Sequence, residues 1–425
     1  MPFATLGLAP ELLPAFSRAL DAAGYTAPTA IQAQAVAPIL RGDDVLACAA
    51  TGSGKTAAFA LPLLQRAALA PPSRRARSLV LVPTRELAAQ VGDTLQALGR
   101  YLPRRIRVAA VAGGAALNPQ MMKLRGGTDI VVATPGRLLD LVAHNALELG
   151  AVRTLVLDEA DRLLALGFEE ELGRILALLP PRRQTLLFSA TFPAEVEVLA
   201  RRLLRGPRRL GEDVAAAAPA TIRQRAIEVD SAQRTALLRH LLHSEAWAQA
   251  LVFVASQRGA DNLAEKLRKA GVAAQPFHGE LSQGRRNQAL AGFRSGQVQV
   301  LVATDVAARG LDIAQLPVVV NYDLPRATAD YTHRIGRTGR AGADGVALSF
   351  VDAASEAHLR LIEKRQQLRV PRERIAGFEP TPALAAATDA EAAPRTGGIK
   401  GKRPGKKDKL RAANAQGGGA PPAKE

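Results

Sequence analysis

Residues 49–56, reading Ala49-Ala50-Thr51-Gly52-Ser53-Gly54-Lys55-Thr56, are the stretch on which the fold turns. A short apolar run, Val45 to Cys48, precedes them, and an apolar-rich segment, Ala57 to Leu69, follows. The pattern predicts a strand, a glycine-rich turn and a helix start, the setting in which a phosphate-binding loop is physically credible. Such a turn lines up backbone N–H groups at a helix N-terminus, where partial positive charge favours a polyphosphate. Lys55 can reach the terminal phosphates, and the Thr56 hydroxyl is placed to ligate magnesium. The loop departs from G-x-x-x-x-G-K-[ST] in one place, Ala49 standing at the first glycine. By itself the loop says nucleotide, not purpose.

Outward from the loop, β-branched runs recur between helical segments. They are Leu79–Val82, Val108–Val111, Ile130–Ala133, Leu155–Leu157 and Thr185–Phe188. Runs this apolar read as strands buried on both faces, and their alternation with helices predicts a parallel sheet. The pattern lapses between Gly206 and Ala220, where Pro207, Gly211 and Pro219 favour a linker. A second series follows: Ala226–Val229, Leu251–Val254, Val298–Val302, Val318–Asn321 and Val346–Phe350. It contains no second phosphate loop. The expected fold is α/β with two tandem domains, over residues 1–208 and 221–378, joined by a linker at 209–220. Residues 379–425 are expected to be a disordered tail. From Arg395 to Glu425 there are nine Lys or Arg against two acidic residues and no aromatic, too little apolar surface to order a core. That tail reads equally as a solubiliser or as an electrostatic tether for RNA.

Bulk properties narrow the partners. A net charge of +17 favours a polyanion, nucleic acid before membrane, although an arginine-rich composition alone could produce it. The single cysteine, Cys48, cannot form an internal disulfide and reads as a structural thiol. No Cys/His cluster has zinc spacing, no apolar run is long enough to span a membrane, and the N-terminus lacks the look of a signal peptide. A cytoplasmic protein is expected.

Two carboxylates, Asp158 and Glu159, stand at the C-terminal end of a buried run, where open α/β sheets bind ligands. Asp158 suits magnesium, directly or through water, and Glu159 can orient and deprotonate an attacking water. Acidic residues at strand ends also cap helices. Ser189 and Thr191 follow another strand, where their hydroxyls could couple the metal site to the neighbouring domain or simply cap a loop. In His333-Arg334-Ile335-Gly336-Arg337-Thr338-Gly339-Arg340, Arg337 and Arg340 are three apart, so on a helical turn they would project from one face. Arginines held across a cleft can neutralise charge on a transferred phosphoryl group.

Several strand ends are suited to holding a phosphate backbone. Thr134 reads as an N-cap with Pro135 at N1 and Arg137 beside the exposed N–H groups. Arg85 opens another helix, Gly113 and Gly114 allow close backbone approach, and Thr304 and Arg286 offer comparable groups in the second half. None provides an aromatic platform for bases, so backbone-directed, sequence-tolerant binding is expected.

These residues resemble the DEAD-box ATP-dependent RNA helicases of superfamily two, over about Phe3 to Arg374. The resemblance rests on Phe3 and GYTAPTAIQ, AATGSGKT, PTRELAAQ, GG, TPGR, DEAD, SAT, LVFVAS, Gln283 with Arg286, TDVAARGLDI and HRIGRTGR, in that order. Within the family the chain looks most like the compact bacterial RhlE-type enzymes. The resemblance implies two RecA-like domains that close on ATP and RNA together. By position, Tyr25 would stack on adenine and Gln32 would read its edge. Residues 49–56 would hold the phosphates and, with Asp158, a magnesium ion. Glu159 would activate water, Asp312 would contact the ribose, and Arg337 and Arg340 would act as fingers. Arg85, Gly114, Thr134, Arg137, Arg286 and Thr304 fall where the family grips RNA. Single-stranded and short duplex RNA is the expected partner, with ribosomal precursors or RNA-decay assemblies as candidate settings and a monomer as the expected state. The chain departs from the family in a longer segment between Leu8 and Gly24 and in its tail.

Overall fold

The apolar runs assemble into two seven-stranded sheets in which every strand pair is parallel. A computed structural model describes residues 2–49, 52–211, 222–308, 316–339 and 344–381. Residues 212–220 of the expected linker and 382–425 of the expected tail lie outside the described residues. So do Ala50, Thr51, Asp312 and Arg340. Both sheets belong to one compact unit ending at Pro380.

The first sheet contains β1 (Val45–Cys48), β2 (Ser78–Leu81), β3 (Val108–Val111), β4 (Ile130–Ala133), β5 (Thr154–Leu157), β6 (Gln184–Ser189) and β7 (Arg208–Leu210). Their spatial order is β3-β4-β2-β5-β6-β1-β7. The second contains β8 (Ile222–Glu228), β9 (Ala250–Phe253), β10 (Ala274–Phe277), β11 (Val300–Ala303), β12 (Val318–Asn321), β13 (Gly345–Val351) and β14 (Arg372–Glu373). Their order, β10-β11-β9-β12-β13-β8-β14, repeats that pattern strand for strand.

The two-residue period of a strand explains why the runs are continuously apolar. Val80 and Val132 feed one core with Phe16, Ile39, Phe59 and Val91, while their neighbours Leu79 and Val131 feed a second with Leu138, Leu163 and Ile175. Each strand is therefore buried on both faces, as sheets covered by helices require. The second sheet divides likewise, Val252 and Val320 facing one cluster, Leu251 and Val319 another.

Eleven runs expected from sequence, Val45–Cys48 included, each overlap an observed strand, with ends shifted by a few residues. Three strands were not legible. β7 is arginine-rich and half exposed, β10 contains Pro276, and β14 has two residues. Pairing to an existing neighbour, rather than intrinsic pattern, makes them strands. β7 also carries the first sheet two residues past position 208 and into the stretch expected to be linker. Thr29 caps the helix Ala30–Arg41 as expected, in a capping box with Gln32. Cys48 is half-buried, its Sγ 3.8 Å from the Ala190 carbonyl.

Candidate functional site

Parallel strands point all their C-terminal ends one way, and the strand order decides which ends are neighbours. β5, β6 and β1 lie side by side. The loops that follow them are those carrying Asp158 and Glu159, Ser189 to Thr191, and the glycine-rich turn. The remaining ends, of β3, β4 and β2, carry Gly114, Thr134 and Arg85. One sheet edge thus presents two adjoining sets of groups.

In the phosphate set, Gly52 and Gly54 adopt φ of 85° and 93°, left-handed values that favour glycine. Gly54 is further constrained, because a Cβ there would lie 2.4 Å from Nε2 of Gln32. Lys55 opens the helix Lys55–Leu69 and is buried, yet its ammonium has no hydrogen-bond partner; Ser53 Oγ is in the same condition. A buried unpaired cation is costly, so this loop is built around an anion that the protein itself does not supply. Thr56 occupies the next helical position.

Asp158 is buried and its Oδ1 accepts the Glu159 N–H at 3.0 Å. Burial raises its carboxyl to about 6, Lys55 opposing and Glu159 adding to the rise. Glu159 is held at φ 53°, an uncommon conformation for this residue, and one of its buried carboxylate oxygens lacks a hydrogen-bond partner. The nearest cation is Arg162, with Nε 3.5 Å from Oε2. Among the described residues no three acidic, histidine or cysteine side chains cluster as a closed metal cage. A magnesium ion here would rest on Asp158, Thr56 and phosphate oxygens, the open arrangement it favours.

Asp161 is the hub that sequence reasoning passed over. Thr191 donates its hydroxyl to Oδ2 at 2.8 Å, the Asp161 N–H reaches Ser189 Oγ at 3.2 Å, and His333 Nε2 approaches Oδ2 to 3.6 Å from the second sheet's side. Burial would raise the Asp161 carboxyl. His333, Arg162 and Lys55 outweigh it and hold the group well below the usual carboxylate range. Burial and Arg162 in turn press the His333 imidazole below its ordinary value. A neutral His333 presenting its Nε2–H to an ionised Asp161 satisfies both.

The three arginines of the 333–340 segment separate. Arg334 is a structural residue: Nε and Nη2 bind the Asp305 carboxylate at 2.6 and 2.7 Å, and Nη1 reaches Asn321 and the Asp323 carbonyl. Arg337 is buried close to Arg162 and His333, and Arg340 lies outside the described residues.

In the second set, Arg85 lies across Gly114, where a Cβ would come within 1.7 Å of its Nη1. Its guanidinium donates to Gln283 at 3.4 Å, and Glu86 holds Arg286 at 2.6 Å. Both join the first turn of the helix Arg85–Leu98, after β2, to the first turn of the helix Gln283–Arg294, after β10. Thr134 occupies the N-cap position of the helix Pro135–Ala143, but its hydroxyl accepts from Gly113 instead of capping the helix. Arg137 reaches the Ala115 carbonyl at 3.0 Å, so Gly114, Thr134 and Arg137 form one patch. Thr304 is buried at the end of β11. Gln32 is fully buried, donating to the Gly54 carbonyl at 3.2 Å and accepting from Thr29 at 3.0 Å, and Tyr25 is half-buried nearby in sequence.

The family model for DEAD/DEAH box helicases matches residues 29–199, and that for the helicase conserved C-terminal domain matches residues 233–342. The chain is 40% identical over 370 residues to the DEAD-box ATP-dependent RNA helicase CshA of Bacillus cereus, covering 87% of this chain and 69% of the relative. The chain belongs to the DEAD-box ATP-dependent RNA helicases. It is also 40% identical over 362 residues to the ATP-dependent RNA helicase DeaD of Mycobacterium tuberculosis, covering 85% of this chain and 63% of that protein. Among solved structures, S. cerevisiae Dbp5 bound to RNA and ADP BeF3 superposes with a TM-score of 0.78 at 31% identity, over 91% of this chain and 98% of that one. The two sheets are thus the tandem RecA-like domains of an ATP-hydrolysing RNA helicase. These relatives do not name the RhlE-type branch expected from sequence.

Proposed function

We propose that this DEAD-box helicase couples RNA-stimulated ATP hydrolysis to local separation of short RNA duplexes. The observation that carries this reading is the buried, unpartnered Lys55 ammonium beside a carboxylate pair, on the same sheet edge as the Arg85–Gly114–Thr134–Arg137 patch. In this reading residues 49–56 cradle the triphosphate, with Lys55 on its terminal phosphates. Thr56 and Asp158 hold magnesium, which when bound offsets phosphate charge. Glu159 orients and deprotonates the attacking water. Arg337 and Arg340 face the transferred group from the second domain. Tyr25 stacks on adenine, Asp312 binds the ribose, and Gln32 exchanges its Gly54 bond for the adenine edge.

Ser189 and Thr191 transmit the state of the site through Asp161 to His333. Arg85, Gly114, Thr134, Arg137, Arg286 and Thr304 hold the RNA backbone with little regard to sequence, and 2′-hydroxyl contacts favour RNA over DNA. Closure on ATP and RNA is a population shift driven by their stronger binding to the closed form, and hydrolysis restores the open one. The domains are taken as 1–208, lengthened to Leu210 by β7, and 221–378, with the rest of 209–220 linking them, in a cytoplasmic monomer serving ribosomal precursors or RNA decay.

Strand displacement on a short RNA duplex, under multiple turnover, tests the reading. ATP should sustain repeated turnover, a non-hydrolysable analogue should not, and RNA should stimulate the ATPase well above DNA of the same sequence. Equal displacement with the analogue would show a clamp rather than a motor.

A further inference from the structure

The two sheets have four outer strands, and three of them are blunted against further pairing. β7 has three residues, of which Arg208 and Arg209 carry charge. β10 places Pro276, which lacks an N–H, in its centre, and β14 has two residues, Arg372 and Glu373. These are the ordinary devices by which a sheet edge avoids recruiting another strand. β3, reading Val-Ala-Ala-Val, has none of them.

The free side of β3 can be located from its bonds. The carbonyl of Arg107 accepts from Asp129 and Ile130, and that of Val111 accepts from Thr134, so odd-numbered residues face β4. The backbone groups of Val108 and Ala110 therefore point away from the sheet, and among the described residues none of them has a partner. One position further, Ala112 does have one: the Gln120 amide both accepts from its N–H at 3.0 Å and donates to its carbonyl at 3.1 Å. A side-chain amide here makes the pair of bonds that a neighbouring strand would make. Beside Val108 and Ala110 lies a groove of about 1050 Å³ instead. Gly92 packs closely on Ala110, a Cβ there coming within 2.8 Å of the Ala110 Cβ. The groove's exposed charges are Arg100, Arg105 and Lys123 against Asp93.

We propose that the β3 edge is a docking groove for an extended, acidic segment of a partner protein, which joins the first sheet as an added strand. Backbone bonds to Val108 and Ala110 would supply register, and acidic side chains opposite Arg100, Arg105 and Lys123 would supply selectivity. A polypeptide is favoured over RNA because the floor is unpaired strand backbone, whose donors and acceptors repeat at the spacing of another strand. A second copy of this chain is disfavoured because two such basic grooves repel.

The test uses the full chain and a fluorescein-labelled peptide of about nine residues alternating Glu and Val, with a control in which Pro replaces alternate Val. Anisotropy should show saturable binding of the first peptide. Binding should weaken about tenfold or more for the Pro control, and equally for the combined variant Arg100→Glu, Arg105→Glu and Lys123→Glu. Ala110→Pro should act in the same direction, provided its circular dichroism and RNA-stimulated ATPase match the parent; the surface-charge variant carries the test if it misfolds. Equal affinity for both peptides, or no binding of either, overturns strand addition. Loss of single-stranded RNA binding by the charge variant, to the same degree as peptide binding, would reassign the groove to RNA. A dimer that dissociates on adding the peptide would reassign it to a second copy.

Discussion

His333 Nε2 lies 3.6 Å from Asp161 Oδ2, the oxygen that also accepts the Thr191 hydroxyl at 2.8 Å. A single carboxylate therefore joins the loop after β6, the helix Ala160–Ala165 after β5 and the second domain. Removing the hydroxyl alone tests whether this junction transmits work. Thr191→Val keeps the side-chain shape and deletes one hydrogen bond to a charged group, of order 1.5–3 kcal/mol. Duplex separation should fall about tenfold or more while RNA-stimulated ATPase falls by a factor of about three or less. Parallel losses in the two rates would refute a coupling role.

Asp158 should cost the ligand-free protein stability at neutral pH. Its folded carboxyl is raised from 3.8 to about 6, so folding favours the protonated form. The sign follows: the ionised group opposes folding, the penalty being absent below the unfolded value and growing as pH rises from there towards about 6. Asp158→Asn should raise Tm at pH 7.5 and abolish the further rise that MgATP gives the parent. In the parent, kcat/KM for MgATP should climb with pH through about 6, a limb that moves to lower pH as magnesium is increased. A flat profile from about pH 5 to 8 would remove Asp158 from metal binding.

Arg334 and Arg337 are three positions apart and should fail differently. Arg334→Lys replaces the paired bonds from a buried guanidinium to Asp305 with a single point charge and should destabilise by about 1.5–3 kcal/mol. Arg337→Ala should leave Tm close to the parent's and lower kcat by about a thousandfold. Melting curves and single-turnover hydrolysis on the two variants separate the roles; a reversal of the pattern would exchange them.

Gln32→Ala removes the bond to the Gly54 carbonyl and half of the Thr29 capping box. A cap of this kind is worth about 1 kcal/mol, so a small fall in Tm is expected. The larger effect should be on nucleotide choice, with the preference for ATP over GTP shrinking about tenfold or more in KM. Unchanged discrimination would mean that Gln32 serves only to brace the loop.

The sheets and most of the site were legible because buried parallel strands and a phosphate loop write themselves into consecutive residues. Val318–Asn321 needed no context to be found, and Gly52, Gly54 and Lys55 declare their chemistry by spacing. What escaped was long-range pairing. Nothing local in Glu86 announces Arg286, and Gln283 lies 198 positions from Arg85. Arg334 looked like a third member of a basic cluster, and only its paired bonds to the Asp305 carboxylate show it to be structural. Asp161 escaped because its partners come from two other segments, Thr191 and His333. Thr134 does stand at the N-cap with Pro135 at N1, as expected, but its hydroxyl is taken by Gly113, which the fold brings close.

The position of β1 between β6 and β7 bears on how the chain is made as well as on what it binds. β1 carries the phosphate loop, yet both its neighbours, Gln184–Ser189 and Arg208–Leu210, come much later in the chain. During synthesis that apolar strand must wait unpaired until about residue 189 has emerged, and paired on one side only until about residue 210, because parallel neighbours cannot be supplied by a hairpin. β8 waits likewise for β13 and β14. A fragment ending before β7 would leave one side of β1 open, inviting aggregation at the strand that holds the nucleotide loop. Each half of this motor therefore becomes competent only as its last strand closes, which ties the appearance of ATP binding on the nascent chain to the completion of a sheet.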